Sequence, residues 1–191
     1  MGLYIADVSG HGVQSALLTV FLRSTLNRKL LSPAKALGEL YAEFNRCRLD
    51  LDEDLYISVF YTIIDLDKKT MVYSNAGLNV IPIVYNKNRY DMLWLPGIPI
   101  SNWAKCPEYK DASRKLQPGD RLFLYSDGIL EIRNKANEQY GEERLLDILQ
   151  NNDLNPGELL QKIKASAFDF AGIGNGGALK DDVTMALLEI K

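Results

Sequence analysis

Asp7 closes a short apolar run, Leu3-Tyr4-Ile5-Ala6, and opens the sequence Asp-Val-Ser-Gly-His-Gly, which leads into a leucine-rich stretch. A strand that stops on Asp and turns through Gly10 and Gly12 leaves its carboxylate at a sheet rim. The helix that follows aims its positive N-terminus back at the same place. Asp127 closes a second apolar run, Arg121 to Ser126, and is followed by Gly128. Asp181 and Asp182 come after a glycine-rich loop and before a third run, Val183 to Ile190. Hard oxygen donors gathered from three strand ends suit Mg²⁺ or Mn²⁺. Such an ion polarises a phosphoryl oxygen and makes a nucleophile of bound water. Taken singly, each acid is better read as an ordinary turn residue, because Asp-Gly is a common turn pair. Periodicity does not show whether the three converge.

Composition narrows the chemistry further. The chain has 191 residues, 47% apolar and 25% charged, which is ordinary for a soluble globular protein and enough for a sizeable core. A net charge of −3 gives no reason to expect nucleic acid or an anionic membrane as partner. No apolar run approaches the ~20 residues that cross a bilayer, and no secretory leader is apparent. Cys47 and Cys106 lack metal-ligand spacing and read as reduced thiols, which points to the cytoplasm. The single histidine, His11, removes most His-based catalysis and zinc chemistry, so oxygen ligands must carry any metal site.

The elements that must position these acids follow from periodicity. Residues 13 to 30 form a helix with two apolar stripes, Val13-Ala16-Leu17-Val20-Phe21-Ser24 and Leu18-Leu22-Leu26-Leu30. So wide a face predicts burial over most of the helix, with Arg23, Arg28 and Lys29 reaching water. Ser32-Pro33 starts a second helix, with the face Ala36, Leu37, Leu40, Tyr41 and Phe44. Strands are expected over 55–64, 71–75, 80–85, 89–95, 113–116, 121–126 and 183–190, with a turn over 65–69, a second at 86–88 and an irregular loop at 96–107. Helices are expected over 142–149 and 156–171, and a flexible loop over 172–177. Short connections between strands imply antiparallel pairing. The whole reads as one α+β domain over residues 1–191, with the last strand inserted beside the first.

The order of the motifs is what becomes recognisable. Asp-Val-Ser-Gly-His-Gly before a leucine-rich helix, Leu-Tyr-Ser-Asp-Gly-Ile-Leu-Glu at 124–131, and Asp-Asp-Val-Thr at 181–184 resemble the PPM-type serine/threonine phosphatases. Ser74-Asn75-Ala76-Gly77 and Tyr140-Gly141-Glu142-Glu143-Arg144-Leu145 are similar to the SpoIIE/RsbU-like bacterial branch. The resemblance implies a PPM-type αββα sandwich, two antiparallel sheets flanked by helices. It implies that Asp7 bridges two Mn²⁺ or Mg²⁺ ions, that the Val8 carbonyl serves one of them, and that Asp127 and Asp181 complete the other's shell. It implies in-line attack by a metal-activated water on phosphoserine or phosphothreonine, with no covalent intermediate on the protein. The implied substrate is a phosphorylated regulatory protein such as an anti-sigma-factor antagonist, with a sensor or receiver domain upstream in the parent protein.

Two departures from the family stand out. Its Gly-Asp-x-x-Asp segment, carried on two further strands, has no counterpart before Asp7, so the domain reads as N-terminally truncated and its second metal position as incomplete. The sheet edge so exposed invites pairing with another chain, a homodimer included. Leu78 stands where the branch often has histidine. His11 is offset from the histidine of other PPM sites and reads as a turn-stabilising residue rather than a general acid. Asp65-Leu66-Asp67 faintly resembles the nucleophile motif of haloacid-dehalogenase-type phosphatases, but fits a hairpin turn better. The rival to the enzyme is a catalytically weak binding or dimerisation module that keeps the fold and one metal.

Overall fold

A computed structural model describes residues 1–26, 32–47, 55–87, 89–150, 153–173, 179 and 181–191. Among them are nine strands and five helices, and the strands form two antiparallel sheets. The chain divides into two compact units, one made of residues 1–79 and 95–116, the other of residues 80–94 and 117–191.

The first unit holds the sheet β1 (Gly2–Val8), β2 (Tyr56–Asp65), β3 (Thr70–Ala76) and β7 (Ala112–Lys115), in that order, with β6 (Ile100–Ser101) paired to the start of β2. β1 is an edge strand, in register with β2 from Gly2↔Ile63 to Val8↔Ile57. The β2–β3 hairpin turns where the Asp65 carboxylate accepts the Lys68 N–H at 2.9 Å and Lys69 takes a positive φ of 50°. Asp65 is therefore a turn residue, as expected. Those bonds from Lys68 also hold its carboxyl below the usual carboxylate range.

α1 (Val13–Leu26) and α2 (Pro33–Cys47) supply the apolar cover in this unit. Ser32 begins α2 as a cap, its hydroxyl accepting the Lys35 N–H at 3.4 Å. Ala36, Leu37, Leu40 and Phe44 are buried with Ile57, Val59, Tyr61 and Ile100. Each buried leucine, isoleucine, valine or phenylalanine of this set stabilises the fold by roughly 1.5–3 kcal/mol.

The expected burial of most of α1 is wrong. Only Leu18, Leu22 and Leu26 are buried, while Val13, Leu17 and Val20 are 76%, 54% and 66% exposed. Among the described residues its main contacts are with β1 and α2, and the single row Leu18, Leu22 and Leu26 serves them. Arg28, Lys29 and Leu30 lie outside the described residues.

The second unit holds the sheet β5 (Arg89–Met92), β4 (Ile83–Asn86), β8 (Arg121–Tyr125) and β9 (Met185–Glu189), in that order. The last strand thus pairs with β8, not with the first strand. The match of Leu122 with Leu188 and Phe123 with Leu187 lines apolar positions up, and reciprocal backbone bonds involving Gly119, Asp120 and Ile190 lock the far end. β4 and β9 are shorter than the expected 80–85 and 183–190.

α3 (Gly128–Glu131), α4 (Gly141–Gln150) and α5 (Pro156–Ala171) complete the second unit. α5 opens with a full capping box between Asn155 and Glu158, with Pro156 in the first turn, and closes on Gly172 at φ 67°. Residues 174–178, most of the expected flexible loop, lie outside the described residues, as does Asn88 of the expected 86–88 turn. Asp120 is fully buried and accepts hydrogen bonds from the Asn86 amide at 2.7 Å and the Gln117 N–H at 2.9 Å.

Candidate functional site

Asp7 is the penultimate residue of β1, paired with Ser58 across the ladder, and its side chain is exposed. Val8 closes the strand and is half-buried. Beyond it the chain turns on glycine: Gly10 and Gly12 have φ of 78° and 88°, a region that disfavours side chains. His11 lies exposed between them. The glycines, rather than the histidine, carry the turn.

Ser9 fastens that turn to the sheet. Its N–H donates to the Tyr56 carbonyl at 3.0 Å, and its hydroxyl accepts the Tyr56 N–H at 2.7 Å. The Ser9 carbonyl in turn accepts the Ser15 hydroxyl at 3.0 Å, which ties the turn to the first turn of α1.

The other acids belong to the second unit, and there the topology brings them together. Because β8 and β9 run antiparallel, the end of one lies beside the start of the other, with Tyr125 opposite Met185. The next pair is Ser126 and Thr184. The Ser126 N–H donates to the Thr184 carbonyl at 3.0 Å, and the Ser126 hydroxyl accepts the Thr184 N–H at 3.0 Å. Gly128 lies against the Asp182 peptide, so that a β-carbon there would stand 2.2 Å from the Asp182 carbonyl oxygen. Asp127 and the Asp181-Asp182 pair are thus held to one end of one sheet.

Asp127 is half-buried at the start of α3 and its side chain does not cap that helix. Asp181 and Asp182 are exposed, and one Asp181 oxygen accepts the Asp182 N–H at 2.8 Å. A cavity of about 380 Å³ adjoins them, lined by Ile129, Lys164, Phe168, Asp181 and Asp182 among others. Among the described residues, no three His, Cys, Asp or Glu side chains gather closely enough to hold a metal ion. The residues expected as ligands offer only oxygen, the ligand type that suits a hard divalent cation.

The two further motifs act as supports. Asn75 uses its amide to bind the Leu78 N–H at 2.9 Å and the Leu78 and Leu95 carbonyls at 3.2 and 2.9 Å, and Leu78 itself is buried. Tyr140 is buried with its hydroxyl 2.9 Å from Ser166, and Arg144 lies 4.5 Å over the Phe170 ring. Cys47 and Cys106 are free and exposed. The bonds of Ser9 and Ser126 and the 128–131 helix are not legible in the sequence, where the one local hint is a serine within two residues of each acid.

Known proteins resemble this chain in sequence and in fold. The chain matches the family described as Stage II sporulation protein E (SpoIIE) over residues 1–191. It is 28% identical over 170 residues to the phosphoserine phosphatase RsbP of Bacillus subtilis (strain 168), covering 86% of this chain and 40% of RsbP. The chain therefore spans well under half the length of that relative. The fold superposes on the SiaA-PP2C domain of Pseudomonas aeruginosa with a TM-score of 0.83 at 18% identity, covering 100% of this chain and 76% of that one. It superposes on the PP2C phosphatase domain of the cell fate determinant SpoIIE from Bacillus subtilis with a TM-score of 0.79 at 17% identity, covering 98% and 54%. These likenesses bear out the two antiparallel sheets with flanking helices, and among the described residues no helix is long and apolar enough to cross a membrane. Matched from its first residue to its last, the chain belongs to the SpoIIE family.

Proposed function

We propose that this chain removes phosphate from phosphoserine or phosphothreonine on a regulatory protein, using Mn²⁺ or Mg²⁺ held by Asp7, the Val8 carbonyl, Asp127 and Asp181. The observation that carries this reading is the β8–β9 pairing, which sets the Asp127 turn against the Asp182 peptide in a chain matched throughout to the family. When bound, the ion supplies Lewis acidity toward the phosphoryl oxygens and lowers the pKa of water.

Asp7, Asp127 and Asp181 are carboxylates that would repel a phosphate dianion unless a bound cation offset their charge. The Asp127 side chain does not cap α3. The partner we read for the site is a phosphorylated anti-sigma-factor antagonist. An upstream sensor or receiver domain in the parent protein would supply regulation. Residues 1–191 are taken as one phosphatase domain built from both units.

The test is turnover of a phosphoserine peptide or p-nitrophenyl phosphate with Mn²⁺. Asp127→Asn is expected to lower the rate by roughly 100-fold or more, as loss of a metal-site charge does. A parental rate in that variant at the same Mn²⁺ would overturn the assignment.

A second reading, a binding or dimerisation module on the phosphatase fold, draws on the edge position of β1 and the exposed row Val13, Leu17 and Val20. Mn²⁺ binding without turnover, together with a dimer in solution, would favour it.

A further inference from the structure

The two acids that end strands, Asp7 and Asp127, have the same neighbour doing the same thing. The regular β1–β2 ladder stops at Val8↔Ile57, and the regular β8–β9 ladder stops at Tyr125↔Met185. One step further, Ser9 faces Tyr56 and Ser126 faces Thr184. In an ordinary antiparallel rung each residue would give its N–H to the other's carbonyl. Here the serine gives its N–H to the facing carbonyl, at 3.0 Å in both sheets. The return bond goes to the serine hydroxyl instead of the serine carbonyl, at 2.7 Å from Tyr56 and 3.0 Å from Thr184.

That exchange has a mechanical result. A carbonyl locked in the ladder would carry the strand onward, whereas a side-chain acceptor closes the rung and releases the carbonyl. Each released carbonyl then meets the element that follows the turn. The Ser9 carbonyl takes the Ser15 hydroxyl at 3.0 Å, and the Ser126 carbonyl takes the Ile129 N–H of α3 at 3.4 Å. The backbone can therefore leave the sheet just past the serine while the serine stays bonded to the facing strand and to the segment that follows. Asp7 lies two residues before one such rung and Asp127 one residue after the other.

We infer that Ser9 and Ser126 are a matched pair of positioning residues, each ending a ladder with its side chain so that the carboxylate one or two residues away is held ready for a divalent cation. They act through Asp7 and Asp127 and touch neither substrate nor ion. The inference rests on the metal-dependent reading of those acids given above.

The experiment compares the parent chain with Ser9→Ala, Ser126→Ala, Ser126→Thr and, as a control, Thr62→Val. Thr62 is buried and its hydroxyl bonds the Val72 carbonyl at 3.0 Å inside the first sheet, with no strand-end acid beside it. Three readouts are taken: Mn²⁺ affinity by calorimetry, thermal stability, and hydrogen exchange of the Tyr56 and Thr184 amides. Each serine-to-alanine change is expected to weaken Mn²⁺ binding about 10-fold or more and to speed exchange of its facing amide. Ser126→Thr keeps the hydroxyl and restores both, and Thr62→Val lowers stability without moving Mn²⁺ affinity. Unchanged Mn²⁺ affinity in the alanine variants, with faster exchange or lower stability, would overturn the proposal and leave the metal site standing. A parent chain that binds no Mn²⁺ and turns over no phosphoester overturns the metal-site reading, and the serine proposal with it.

Discussion

Gly128 and Asp182 are in backbone contact: a β-carbon on the glycine would lie 2.2 Å from the Asp182 oxygen and 3.1 Å from its carbonyl carbon. The Asp-Gly pair at 127–128 is thus more than a turn signal. It lets two segments separated by more than fifty residues share one end of a sheet.

Gly128→Ala should accordingly destabilise the chain by roughly 1–3 kcal/mol, since the atom in the way is backbone and cannot step aside. Gly38 in α2 has nothing within 4 Å of its β-carbon position. Gly38→Ala should stabilise by roughly 0.5–1 kcal/mol. Urea unfolding of the two variants side by side checks the contrast, and equal effects would contradict it.

Asp120 offers a test remote from the acids at Asp127 and Asp181. Its buried carboxylate satisfies Asn86 and Gln117, with Arg89 at 3.5 Å. Asp120→Ala leaves those donors without an acceptor and should cost roughly 2–4 kcal/mol. Asp120→Asn keeps one acceptor oxygen and should cost less. The measurement is the denaturation midpoint, with Mn²⁺ affinity as the quantity expected not to move.

The start of α5 makes a third prediction. Asn155 accepts the Glu158 N–H at 3.0 Å and completes a capping box. Asn155→Ala should lower stability by about 1 kcal/mol, and Asn155→Asp should leave it nearly unchanged. Thermal melts of the two variants decide the matter.

Alkaline pH should weaken the fold. Burial pushes the Tyr125 and Tyr109 hydroxyls well above the usual tyrosine value of 10.0, and for Tyr125 the nearby Glu142 carboxylate adds to the effect. The folded chain keeps these protons while the unfolded chain releases them near pH 10, so their contribution is complete below that pH and declines as pH rises above it. The urea midpoint should therefore fall between about pH 9 and pH 11. Tyr125→Phe, with no proton to release, should show a smaller fall. A midpoint indifferent to pH across that window would contradict the assignment.

Much of this fold was legible because its local signals agreed with one another. Ser32-Pro33 and Asn155-Pro156 mark the starts of α2 and α5, and both helices begin where those residues stand. Asp7, Asp127 and Asp181 were recognisable as strand-end acids because glycine punctuates the chain beside two of them. What stayed hidden depended on partners far away in the sequence. The apolar pattern of β9 suits either sheet, and its pairing with β8 follows from side-chain matches that no local window contains. The exposed residues of α1 look as apolar as the buried ones, and only the placement of β1 and α2 separates Leu18 and Leu22 from Val13 and Leu17. A hydroxyl standing in for a carbonyl, as at Ser9 and Ser126, needs both strands in view.

The segments around Gly77 and Gly97 interlock. A β-carbon at Gly77 would meet the Pro99 ring at 2.3 Å, and one at Gly97 would meet the Asn75 oxygen at 1.9 Å. Each stretch therefore fills the space that a larger residue in the other would need. Mutational libraries that randomise one stretch alone should recover glycine almost every time. Homologues that have drifted at one should carry a compensating change at its counterpart.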